Sequence, residues 1–199
     1  MKKLILACIT GGWLFCGACA HHPQPSPPTS DSLSHPDSPA TSFFPVADVL
    51  ESEIREVDTL PVALRKWIIG KGRTDSGFIK PAEFHALAMQ FVLPEFRDGR
   101  FQKEFSETSF MDNNTGNANF TYATNDKDLS LQRVDVIAEP IGTTHRMSSV
   151  YLVRHRLSGD SNIIERMLWR ARKRFQIVSE IRINNGPPID QQLIVDWSN

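Results

Sequence analysis

The stretch Phe175-Gln176-Ile177-Val178-Ser179-Glu180-Ile181-Arg182-Ile183 decides the fold. Phe175, Ile177, Ile181 and Ile183 alternate with Gln176, Val178, Glu180 and Arg182. A period of two is the mark of a strand with one face in a core. The pattern repeats on both sides. Upstream, across a turn at Arg172-Lys173, Ile163, Met167 and Trp169 are set among Glu165, Arg166 and Arg170. Downstream, across Asn184-Asn185-Gly186-Pro187-Pro188, Leu193, Val195 and Trp197 alternate with Ile194 and Asp196. Further back lie the apolar run Val150–Val153, the alternation of Val134 and Val136, and that of Ala118, Phe120 and Tyr122. Short turn-forming connections between such segments predict an antiparallel meander.

The region before residue 117 has a different period. Val46, Val49, Leu50, Ile54 and Val57 recur at helical spacing, which predicts a helix over 46–57. Thr59-Leu60-Pro61 resembles a second helix start, carrying Leu64, Trp67, Ile68 and Ile69 to a stop at Gly70. A third helix spans Lys80 to Leu93, with Pro81 in its first turn and Phe84, Leu87, Ala88, Phe91 and Val92 on one face. Residues 96–111 read as a short helix or turn that packs phenylalanines under the sheet, and 112–117 as a turn. The expected class is therefore α+β, with N-terminal helices packed on one face of a C-terminal antiparallel meander of about six strands. The apolar rows should face the helix bearing Phe84, Leu87 and Phe91, with Ile181 deeply buried.

The first 22 residues, MKKLILACITGGWLFCGACAHH, give an address. Lys2 and Lys3 precede an apolar run from Leu4 to Phe15, and small residues follow. That is the layout of a secretory signal peptide. The run is too short for a membrane span, which needs about 20 apolar residues, and Gly11 and Gly12 break it. All three cysteines, Cys8, Cys16 and Cys19, lie in this stretch. A single leftover thiol is unusual in an exported protein.

Ala18-Cys19 makes the stretch resemble a bacterial lipoprotein signal. The resemblance implies cleavage before Cys19 and lipidation of its thiol and amine. Cys16 stands where that family prefers an aliphatic residue. A cleaved signal without lipid, cut after Ala18 or Ala20, is the alternative. Residues 20–45 hold seven of the chain's 13 prolines, with many serines and threonines. Such a segment buries too little apolar surface to offset its ordering entropy, so it reads as a tether. The expected organisation is a signal peptide over 1–18, lipidated Cys19 and tether over 19–45, and one domain over 46–199.

From Phe43 onward the chain resembles a group of small uncharacterised envelope lipoproteins of Gram-negative bacteria. The residues that carry this are Phe43-Phe44-Pro45-Val46, Asp48, Leu50, Glu53-Ile54, Gly70-Lys71, Thr74-Asp75-Ser76, Phe120, Tyr122, Asp135-Val136 and Trp197. The resemblance implies location and architecture, and carries no chemistry.

No nucleophile elbow occurs, and none of His85, His145 and His155 has a partner at H-E-x-x-H spacing. His21 and His22 read as solvated tether residues. The glycines of 70–77 lack the spacing of a phosphate loop and read as a turn. No catalytic residue, metal or cofactor is expected.

Net charge is −1 for the chain, which gives no pull toward nucleic acid. It is unevenly spread: 46–140 holds 11 basic and 16 acidic residues, whereas 150–182 holds 8 basic and 3 acidic. Arg154, Arg156, Arg166, Arg170, Arg172, Lys173, Arg174 and Arg182 fall on neighbouring expected strands or their turn. Paired strands would bring several of them to one face, with Arg166, Arg170 and Arg174 the candidate anion-binding residues. The alternative is a charged solvent face that guards sheet edges.

Two functional expectations follow. The first is a non-enzymatic docking or structural module of an envelope complex, lipid-anchored at the outer membrane on the periplasmic side. The second is a binding protein for an anionic lipid, glycan or acidic partner.

Overall fold

Every strand in the computed structural model, which describes residues 43–184 and 186–198, belongs to one antiparallel sheet. The strands are β1 (Arg65–Gly70), β2 (Arg73–Phe78), β3 (Ser106–Met111), β4 (Ala118–Ala123), β5 (Leu131–Ile141), β6 (Thr144–Ser158), β7 (Ser161–Arg170), β8 (Arg174–Ile183) and β9 (Ile189–Asp196). Their spatial order is β2-β1-β9-β8-β7-β6-β5-β4-β3. The run from β3 to β9 is a meander, and the β1–β2 hairpin adds to its β9 edge. Three helices accompany it: α1 (Val46–Thr59), α2 (Pro81–Ala88) and α3 (Arg100–Glu104). Cys19, the signal stretch and nearly all of the tether lie outside the described residues. No helix among the described residues is long and apolar enough to cross a membrane.

This overturns the expected class. The sheet has nine strands instead of six, and 46–110 is not mainly helical. Leu64, Trp67 and Ile68 sit at helical spacing by coincidence. They lead into and form β1, which pairs residue for residue with β2 through Gly70↔Arg73. Lys71 (φ 50°) and Gly72 (φ 70°) are both left-handed, as a two-residue hairpin loop of the primed type requires. All six residues of β2 are exposed, so it carries no alternation to read. The expected long helix at 80–93 ends at Ala88 and continues only as tight 3-10 turns at Met89–Phe91 and Pro94–Phe96.

The core lies between one face of the sheet and the helical segments. On that face cross-strand partners form rows. One row runs Val136, Val150, Trp169, Phe175 and Val195 across five strands, and each of these is fully buried. The next runs Val134, Leu152, Met167, Ile177 and Leu193. Over these rows lie Leu50, Ile54 and Val57 of α1 and Phe84 of α2. Phe84 meets Trp197 at 5.2 Å and Phe175 at 6.1 Å between ring centroids, and Phe91 meets Trp169 and Phe175 at 5.4 Å. Aromatic pairs in tilted and edge-on contact add to the area they bury. At the entry to α1, Phe43 packs on Tyr122 and Phe101, and the Phe44 N–H donates to the Tyr122 hydroxyl at 2.9 Å. Residues 41–199 form one compact unit, with every core side chain inside it and no cysteine.

The cover does not reach the far ends of β6–β9. There the same face continues as two further rows. One is Arg154, Glu165, Ser179, Gln191 and Gly70; the other is Arg156, Ile163, Ile181 and Ile189. Ile181 is half-buried and Ile183 exposed, which corrects the expectation of a deeply buried Ile181.

Candidate functional site

The eight basic residues of 150–182 do not share a face. Strand parity divides them. Arg154 and Arg156 have the parity of Val150 and Leu152, so they stand on the helix side. Arg166, Arg170, Arg174 and Arg182 have the opposite parity and stand on the outer face. Arg172 and Lys173 belong to the β7–β8 turn, where Arg172 adopts φ 58°.

On the outer face, Arg170 and Arg174 are direct cross-strand partners. Asp196 lies opposite Arg174 on β9, and Arg65 lies opposite Asp196 on β1. Three cations and one carboxylate thus share a row at strand spacings of about 4.8 Å. Among the described residues neither Arg170 nor Arg174 has an ion pair. Asp196 is occupied otherwise, accepting from the Ser198 N–H (2.8 Å) and hydroxyl (2.6 Å). Arg65 lies over the Trp67 ring at 4.9 Å, a cation–π distance. Arg166 stands two rows away. Its guanidinium is 3.8 Å from Glu180, which also accepts from Arg182 at 2.9 Å. The structure therefore brings Arg170 and Arg174 together, whereas Arg166 shares the Glu180 carboxylate with Arg182. Arg65 is not marked by the sequence pattern, because Leu64, Trp67 and Ile68 mimic a helical stripe around it.

Between the arginine row and Arg166 runs an apolar row of half-buried residues: Tyr151, Leu168, Ile194 and Trp67, interrupted by Gln176. The outer face is thus amphipathic, with guanidinium groups beside apolar side chains.

On the helix side, Arg154 and Arg156 converge on one carboxylate. Arg154 Nε donates to Glu165 Oε2 at 2.7 Å, and Arg156 Nη2 donates to Oε1 at 2.7 Å. The Glu165 side chain is 4% exposed, that of Arg154 13% and that of Arg156 43%. Burial alone would push the Glu165 carboxyl up. The hydrogen bonds and charges of Arg156 and Arg154 outweigh it and hold the group below the usual glutamate value. Around the cluster open a cleft of about 220 Å³ lined by Gln90, Ile163, Ile181 and Gln191, and one of about 520 Å³ by Ser130, His155 and Leu157. The sequence marks Arg154 and Arg156 as part of a basic group but does not show their convergence on Glu165, because the continuous apolar run at 150–153 hides which parity of β6 faces in.

Elsewhere polar groups serve the fold. Glu53 of α1 is buried and accepts from the Arg172 N–H at 3.2 Å. Burial pushes its carboxyl above the ordinary value against that donor. Arg172 also donates to Glu139 at 2.8 Å, and His85 pairs with Asp58 at 2.7 Å. Among the described residues no group of three or more His, Cys, Asp or Glu side chains could hold a metal ion.

No protein-family model matches the chain, and no curated protein sequence matches it significantly.

Proposed function

We propose that this chain is a lipid-anchored protein of the bacterial cell envelope, held through Cys19 at the outer membrane with its domain in the periplasm. It works without catalysis, as a docking module of a membrane complex. The observation that carries this reading is the N-terminal sequence: two lysines, a short apolar run, Ala18-Cys19 and a proline-rich tether ahead of a cysteine-free domain. Ala20 after Cys19 is not the aspartate that holds enteric lipoproteins at the inner membrane. The tether would reach about 80 Å when extended, enough to hold the domain clear of the bilayer.

Replacing Cys19 by alanine in the full chain, expressed in a Gram-negative host, should move the protein to the soluble envelope fraction and abolish incorporation of labelled palmitate. A Cys19→Ala protein that stays in the membrane fraction, with no label on wild type, overturns the anchor. Pull-down of wild type from detergent-solubilised membranes should bring a defined partner, and an isolated protein would refute the complex.

A second reading rests on the pairing of Arg170 with Arg174. Two adjacent guanidinium groups, neither of them in an ion pair among the described residues, suit an anionic ligand, whether lipid, glycan or acidic protein. The domain over 41–199 should then bind anionic liposomes at low salt and release them as salt rises. Absence of binding at low salt disposes of this reading.

A further inference from the structure

The uncovered end of the helix-side face carries an apolar patch with a charge at one end. Ile163, Ile181 and Ile189 are cross-strand neighbours on β7, β8 and β9, and all are half-buried. Apolar side chains grouped on an open surface mark a place where something binds. Two clefts meet there, sharing Ile181 and Gln191. One, of about 220 Å³, reaches Gln90 and Arg156. The other, of about 420 Å³, runs over Ile68 and Ile189 to the β1–β2 hairpin. Gly70 on its floor has no side chain, and a Cβ there would come within 3.3 Å of the Asp190 carbonyl oxygen.

The charges are arranged along this row. At the hairpin end, Lys71 and Arg73 stand with Asp75 and Asp190, so the signs balance. At the other end, Arg154 and Arg156 share the single carboxylate of Glu165, which leaves one positive charge in excess. Arg156 is the more exposed of the two, it borders the cleft, and two bonds to Glu165 fix its orientation. From Arg156 to Ile189 is three strand spacings, about 14 Å. The larger cleft falls within the usual range for a small-molecule site, about 300–1,000 Å³.

We propose that the two clefts together bind a single acyl chain with an anionic head, the tail lying from Ile163 across Ile181 to Ile189 and the head on Arg156. The site is on the opposite face from Arg170 and Arg174 and does not depend on the docking reading. The shared chemistry of the head is a compact oxyanion, either carboxylate or phosphate.

The test uses residues 41–199, delipidated, with a dansylated fatty acid as reporter. Decanoate, decyl phosphate and decanol compete below their micelle concentrations. The anionic competitors should displace the reporter about tenfold more tightly than decanol, the worth of one charged contact. Whichever of decanoate and decyl phosphate binds tighter identifies the head. Arg156→Gln should bring both to the level of decanol, and Arg156→Lys should restore part of the difference. Ile189→Ser, far from the ion cluster, should weaken all three, and it keeps the test valid if Arg156→Gln fails to fold. No displacement, or an unchanged ranking in folded Arg156→Gln, overturns the proposal. So does a dimer broken by Ile189→Ser with no reporter bound, which would make the patch an interface between copies.

Discussion

The two ends of the helix-side face obey the same alternation and reach opposite outcomes. At one end α1, α2 and the following tight turn press Leu50, Phe84 and Phe91 onto Trp169 and Phe175, and the rows are dry. At the other end only the edge of that cover, at Gln90, borders the cleft over Ile163 and Ile181, and Ile163, Ile181 and Ile189 stay half-buried. Each end also buries one carboxylate, and the two are treated differently. Glu53 under the cover gets one backbone N–H, and burial dominates. Glu165 at the open end gets two guanidinium groups, and they outweigh burial. The lesson is that strand pattern sets which face turns inward, whereas the cover and the ion partners decide how far each position is withdrawn from water.

The largest break in this comparison should come from Trp169→Ala. The ring is fully buried and touches Phe91, Phe175 and Trp197. Its loss should cost about 3–5 kcal/mol in denaturant melts of residues 41–199. Glu165→Gln comes next, at about 3 kcal/mol, because it leaves two arginines facing each other with no carboxylate between them. Glu53→Gln should cost much less at neutral pH, since burial already disfavours its charge. Equal losses for the two glutamates would erase the contrast between the ends.

Acid sharpens the same contrast, because the two groups have opposite signs. The Glu165 carboxyl is lowered from the reference value of 4.5. Its contribution is present above that value and is lost as pH falls through the folded-state pKa. The Glu53 carboxyl is raised from 4.5. Its contribution is complete below that value and is lost as pH rises through the folded-state pKa. The stability gap between wild type and Glu165→Gln should therefore narrow on acidification below the ordinary glutamate range. The Glu53→Gln variant should gain on wild type as pH rises toward neutrality. Parallel pH profiles for both variants would contradict these environments.

Ile181→Ala should have a smaller effect, about 1 kcal/mol, because the side chain already meets water and leaves little cavity. A loss as large as that of Trp169→Ala, in the same melts, would mean that Ile181 is packed as tightly as the covered rows.

How much of this was legible follows from where the alternation is strong. The segments around 118–122, 134–136, 150–153, 163–169, 175–183 and 193–197 coincide with β4 to β9, because each has one face in the core. The strands β2 and β3 sit at the two sheet edges, and their residues are all exposed apart from a half-buried Glu107. With no buried face they leave no period, so edges are the least legible part of a sheet. β1 is illegible for another reason: Leu64, Trp67 and Ile68 mimic a helical stripe. The arginines were visible as a cluster, but their division between two faces depended on the parity of β6, which the run Val150–Val153 conceals.

The smallest expected effects are on the outer arginine row, and they separate two residues that look alike. Arg170 has Ser149 on one side and Arg174 on the other, with no carboxylate beside it. Arg174 has Arg170 on one side and Asp196 on the other. Like charges directly opposite each other destabilise a sheet pair by about 0.2–1 kcal/mol. Arg170→Gln removes that repulsion and loses no attraction, so it should raise stability slightly. Arg174→Gln removes the same repulsion together with the attraction of Asp196, so it should be close to neutral. Salt should raise the melting temperature of wild type more than that of Arg170→Gln, because screening and the substitution remove the same term. If Arg170→Gln lowers stability and the salt response is unchanged, Arg170 already has an anionic partner. The row would then have no excess charge to offer a ligand.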